Sequence, residues 1–153
     1  DIGVDIEIPL DLNIDGLAVT QSLPFSPPED IDQAKGLLLR LVSENEMPIS
    51  GLVEIEFLNA SGNAVYTLDA QAVFDAAEVG SNGRVATPSR STTDFTLDEE
   101  AILAIQDATE INLIVTVSTT NADQGVKLKL FDDYELNFTV AGQLDLELTS
   151  SEN

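Results

Sequence analysis

The chain of 153 residues has no histidine, no cysteine and no tryptophan, and its six lysines and arginines stand against 28 aspartates and glutamates. Each shortage excludes a chemistry. Without histidine there is no Ser-His-Asp triad, no imidazole metal ligand and no side chain whose ordinary pKa lies near neutrality. Without cysteine there is no thiolate nucleophile, no zinc–thiolate or iron–sulfur site and no disulfide. A formal net charge of −22 works against nucleic acid and anionic membranes, because binding to either requires clustered cations. The cations here, Lys35, Arg40, Arg84, Arg90, Lys127 and Lys129, are mostly dispersed. Direct membrane insertion is not expected either, since no apolar run approaches the roughly 20 residues of a spanning helix. The chain opens on Asp1-Ile2-Gly3 rather than methionine, which points to a processed chain, a trimmed domain or a piece of something larger.

What is present is enough for a core. The hydrophobic fraction is 43%, too high for disorder, and a chain of this length buries roughly two-thirds of its unfolded surface. One domain over 1–153 is expected, either alone or as one module of a longer chain.

The pattern of apolar residues is that of strands. Ile2, Val4, Ile6, Ile8, Leu10, Leu12 and Ile14 share one parity, with Gly3, Asp5, Glu7, Pro9, Asp11 and Asn13 between them. Period two predicts a strand with one buried face. Pro9, on the outward parity, cannot donate to a ladder, so the strand lies at an edge or is broken there. Asp15-Gly16 marks a bend, and Leu17, Val19 and Leu23 suggest a short second strand before a loop from Pro24 to Asp32. Leu37 to Val42 reads as a central strand buried on both faces. Val53, Ile55 and Phe57 alternate with Glu54 and Glu56, and the turn Asn59 to Asn63 leads into Val65 to Leu68 as a hairpin. Ala70 to Val79 fits a strand or a short helix, and Ser91 to Phe95 a strand.

One short helix is predicted over about 97–107. Thr96 and Glu99 have capping-box spacing, Asp98, Glu99 and Glu100 suit the first turn, and Leu97, Ala101, Ile105 and Ala108 form an apolar stripe. Ile111 to Val117 returns to alternation. From Val126 to Leu148 the even positions are apolar except Asp132 and Gly142, which predicts a kinked continuous strand or two strands joined by an odd loop. The expected fold is all-β: an antiparallel β-sandwich of about eight to ten strands with one short helix.

Three pieces of the chain carry a resemblance. They are Ser43 to Pro48 followed by Phe57 to Val65, then Leu97 to Ala108 running into Ile111 to Thr120, then Val126 to Leu128 with Asp133 to Leu136. In this order they resemble uncharacterised secreted or lipoprotein β-sandwich proteins of Gram-negative cell surfaces. The resemblance implies an extracytoplasmic address and a binding or structural role. It brings no functional residue with it.

Carboxylates are the only abundant reactive groups, and two of 28 acids fall at glycosidase spacing by chance alone. Sugar platforms are few, and Tyr134 and Phe138 lie on the inward parity, where core positions are expected. Hard cations take oxygen ligands from acidic loops, so Glu29, Asp30 and Asp32, and Asp123 with Asp132 and Asp133, are the candidate ligands for a structural calcium. Neither set has the spacing of a calcium loop, and no other cofactor is implied. Ser89-Arg90-Ser91 offers hydroxyls without an evident base. The expected function is a non-enzymatic, extracytoplasmic structural or protein-interaction module of a surface or multi-subunit assembly. Its partners are other proteins, met by strand addition through Ile2 to Ile14 if that segment does not pair within its own chain beside Tyr134 to Leu148, the favoured arrangement. The alternative is a β-sandwich binding a small ligand, whether lipid, glycan or cation.

Overall fold

A computed structural model describes residues 10–27 and 31–146. Within them the chain forms β1 (Leu10–Leu12), β2 (Leu17–Pro24), β3 (Ala34–Asn45), β4 (Ile49–Asn59), β5 (Ala64–Phe74), β6 (Glu78–Val79), β7 (Val85–Thr87) and β8 (Ser89–Asp98). The helix α1 (Glu99–Ala104) follows, then β9 (Ala108–Thr119), β10 (Leu128–Leu130) and β11 (Leu136–Leu146). Short 3-10 turns occupy Ile31–Gln33, Ile105–Asp107 and Ala122–Gln124.

Two antiparallel sheets face each other. One has the order β11-β3-β8 and the other β2-β9-β4-β5, with the small pairs β1-β10 and β6-β7 beside them. The fold is therefore the expected antiparallel sandwich with one short helix. Alternation explains the core: Val53, Ile55 and Phe57 of β4 point between the sheets, where they meet Leu37, Leu39, Phe95 and Leu97 of the other sheet. The hairpin β4–β5 turns at Asn59, whose Oδ1 accepts from the amides of Ser61 (3.0 Å) and Asn63 (3.1 Å). Such an Asx contact specifies a turn in the chain. Gly51 is required for packing: a Cβ there would lie 2.3 Å from the ring of Phe74, its cross-strand partner.

Several local expectations change. Strand β5 runs through Phe74, so the ambiguous stretch from Ala70 is a strand and not a helix at its start. The helix is capped by Asp98, whose Oδ1 accepts from the amide of Ala101 at 2.9 Å, rather than by Thr96, which lies inside β8. Helix α1 and its 3-10 extension bury Ala101, Ile102 and Ile105 across one end of the sandwich. The C-terminal run divides at a corner, residues 131–135, between β10 and β11.

Of the N-terminal strand expected beside Tyr134 to Leu148, the described part has a different neighbour. Residues 1–9 lie outside the described residues. Leu10–Leu12 do form a strand within the chain, but they pair with Leu128–Leu130. The run from Leu136 is already paired with β3 along its length, from Leu136 opposite Asn45 to Leu146 opposite Ala34. Phe138, expected in the core, is 48% exposed although its ring meets Phe74 edge-on at 5.9 Å. Parity placed it on the inner face; what it lacks is a cover.

Among the described residues, ion pairs engage Lys35 with Glu99, Arg40 with Asp94, Arg84 with Asp133 and Arg90 with Glu44. The hydrogen bond from Arg40 holds the Asp94 carboxyl below its usual range. These exposed pairs contribute little, and 28 acids against six cations leave a self-repelling net charge of −22. Stability is therefore expected to rise with salt, since screening acts within about 8 Å at physiological ionic strength. A melting temperature that stays level or falls between low salt and high sodium chloride would contradict this. Matched millimolar calcium and magnesium are expected to raise it equally, and a calcium-specific rise would restore the structural cation.

Candidate functional site

The sequence-predicted acids are only partly among the described residues. Glu29 and Asp30 lie outside the described residues, and Asp32 falls in the 3-10 turn Ile31–Gln33. Asp123 is exposed in the turn Ala122–Gln124, while Asp132 and Asp133 occupy the 131–135 corner. Asp133 is occupied by Arg84, whose Nη2 donates to both carboxylate oxygens at 2.8 and 2.6 Å. Among the described residues no group of three or more acids gathers at metal-binding range. The hydroxyls of Ser89 and Ser91 also have structural work. Ser89 Oγ donates to the carbonyl of Asp75, and Ser91 Oγ donates to Asp75 Oδ2 at 2.9 Å.

Those contacts close one side of the sandwich. Strand β8 lies over β5, with Thr93 Oγ1 donating to the carbonyl of Ala72. The margin of each sheet away from this seam is β11 in one and β2 in the other. Here the sandwich gapes. A cavity of about 670 Å³ runs between the sheets, lined by apolar side chains that include Leu23 of β2, Leu113 of β9, Leu39 of β3 and Leu144 of β11. Along its rim Leu17 and Val19 are 52% and 57% exposed, and Val140 is 67% exposed. Among the described residues the lining of the cavity is apolar, with no polar group to orient a sugar or a cation.

The two margins differ in what flanks them. β11 begins at an anchored corner: Arg84 stacks on Phe131 at 3.9 Å, and Tyr134 Oη accepts from the amide of Val85 at 2.8 Å. Strand β2 is an eight-residue edge, exposed throughout and paired on one side only, with β9, among the described residues. Its register runs from Leu17 opposite Val117 to Pro24 opposite Glu110 without a bulge. It carries no lysine, and its only proline is the last residue. Natural edges are ordinarily blunted by such devices. This site was missed in the sequence because alternation identifies faces, not which strands have two neighbours. The absence of lysine and of an internal proline from Leu17 to Leu23 was the available signal.

No family model matches the chain, and no curated protein does. Solved structures show its fold. The chain superposes on the structure of infectious bursal disease virus Gx strain with a TM-score of 0.54 and 14% identity, over 93% of this chain and 30% of that one. The T13 viral particle of the same virus gives 0.54 and 14% over 92% and 29%. The VP2 subviral particle gives 0.50 and 14% over 92% and 30%. The chain thus spans under a third of the length of these proteins, and the likeness is one of fold: a β-sandwich domain of a kind found in viral particles.

Proposed function

We propose that the protein is a non-enzymatic structural module that joins a multi-subunit assembly by accepting a strand on the free edge of β2. The observation that carries this is the unblunted edge itself, Leu17–Pro24, regular in register and, among the described residues, bonded on one side. Strand addition uses such an edge directly, with main-chain hydrogen bonds for affinity and alternate side chains for specificity. The particle-forming neighbours support a structural role, and the resemblance to secreted β-sandwich proteins supports an extracytoplasmic address. The small-ligand reading has the volume in the apolar cavity but lacks the convergent polar groups that would position a glycan or cation.

The edge can be tested by proline. Successive residues of an antiparallel strand turn their amides to opposite neighbours, so of Thr20 and Gln21 one faces β9 and the other the free edge. One of Thr20→Pro and Gln21→Pro should therefore melt well below the parent. The other should keep the parent's melting temperature while losing self-association in a light-scattering concentration series. A parent that stays monomeric throughout, or two proline variants that associate as the parent does, would remove the proposal.

A further inference from the structure

We infer that the apolar cavity between the sheets is a binding site for an uncharged aliphatic chain, whose polar head meets the side-chain amide of Gln21 at the mouth. At about 670 Å³ the cavity falls within the range of small-molecule sites, about 300–1,000 Å³. Its walls come from both sheets, and Ile102 of α1 with Ile105 of the 3-10 turn after it lines the helix end. Among the described residues every lining side chain is aliphatic or phenyl, from Leu37 and Ile55 to Phe25 and Phe57. Such a space excludes water and accepts apolar guests, because no wall side chain can hydrogen-bond a solvent molecule.

The mouth specifies the rest of the ligand. It lies between β2 and β11, where Leu17, Val19, Val140 and Leu144 are exposed, so an apolar rim carries the apolar interior out toward solvent. Gln21 interrupts the rim on β2. It stands directly opposite Leu113 of β9, which lines the cavity, and opposed residues share a face. Gln21 is exposed, and its amide both donates and accepts, which suits a hydroxyl or an ester and offers an ion no counter-charge. An anionic head is disfavoured further. It meets a chain of net charge −22, with Asp145 beside Leu144 on one rim and Glu110 opposite Pro24 at the end of the other, and repulsion acts within about 8 Å. The ligand is therefore a neutral single-chain amphiphile, tail inward and head at Gln21. The inference uses inward-facing side chains and not the backbone edge of β2, so it stands apart from the assembly reading.

Calorimetric titration of the full chain with octanol, decanol and dodecanol at physiological ionic strength reads the site. Binding should saturate at one molecule per chain, with Kd falling about fourfold for each added methylene, the increment for burying one such group. Decanoate and decylammonium, with matched tails, should both bind more weakly than decanol. Gln21→Ala should weaken decanol several-fold and leave the increment per methylene unchanged. The chain has no native cysteine, so Leu144→Cys, at an exposed rim position that tolerates substitution, can be labelled selectively with a pyrene maleimide. The tethered ring should abolish decanol binding. Unlabelled Leu144→Cys should bind close to the parent, as should labelled Ser81→Cys, in the exposed turn between β6 and β7. Titration without saturation, a Kd indifferent to chain length, tighter binding of either ion, an unchanged Kd in Gln21→Ala, or binding that survives the label at position 144 would each overturn the inference. Saturable binding by a protein that never self-associates would uphold it while removing the assembly reading.

Discussion

Asn45→Ala is expected to destabilise the protein by about 2–6 kcal/mol, out of proportion to the size of the side chain. Asn45 ends β3 and is fully buried. Its Nδ2 donates to the carbonyls of Ile49 and Asp75, each at 2.8 Å, and its Oδ1 accepts from the amide of Met47 at 2.8 Å. One side chain thus ties the end of β3, the start of β4 and the loop after β5. Alanine would remove the side-chain partner of the Ile49 carbonyl and of the Met47 amide, each at a cost of about 1–3 kcal/mol if it stays dry, and leave the Asp75 carbonyl to Ser89 Oγ alone. Asn45→Asp separates charge from shape: the carboxylate keeps the bond from Met47 but faces two carbonyls as an acceptor, so it should be nearly as damaging. Urea midpoints at unchanged slope measure both. If alanine costs less than about 1 kcal/mol, water replaces the amide and the residue is no anchor.

How far the sequence reaches into this fold depends on what period two can say. It assigns faces, and on that basis Val53, Ile55 and Phe57 were correctly turned inward with Glu54 and Glu56 outward. It identified the Asn59 turn because glycine and asparagine chemistry is local. It placed the helix to within two residues but chose the wrong cap, since Thr96 and Asp98 both suit the role and only the continuation of β8 to Asp98 decides between them. Alternation is silent on neighbours. Phe138 and Phe57 look alike in sequence, and one is exposed because it lies on a margin strand. The candidate acids carry little signal in sequence: acidic loops follow from net charge alone, and Asp133 is held by Arg84, a long-range pairing with no local signature. Asn45 within Ser43-Glu44-Asn45-Glu46-Met47-Pro48 stood out in sequence only as part of one piece of the resemblance. Its partners come from strands brought together by the sandwich.

Phe57→Ala should be among the most costly single changes in the core, at about 3–5 kcal/mol. The ring is 6% exposed on β4 and packs edge-on against Phe25 at 5.4 Å and tilted against Tyr66 at 6.4 Å. Such aromatic contacts add about 0.5–1.5 kcal/mol beyond burial. The ring also forms part of the wall of the apolar cavity, so truncation enlarges a space that already exists instead of opening a sealed one. Two consequences compete. A wall that collapses into the space would bring the cost to the low end, whereas a wall held rigid by β4's pairing with β5 and β9 keeps it high. The rigid case is expected, because β4 is bonded on both sides along most of its length. Phe57→Leu, which retains most of the volume, should cost well under half as much. Equal losses for alanine and leucine would locate the effect in the aromatic contacts rather than in burial. An alanine variant that melts with the parent would show that β4 does not face a core at this position.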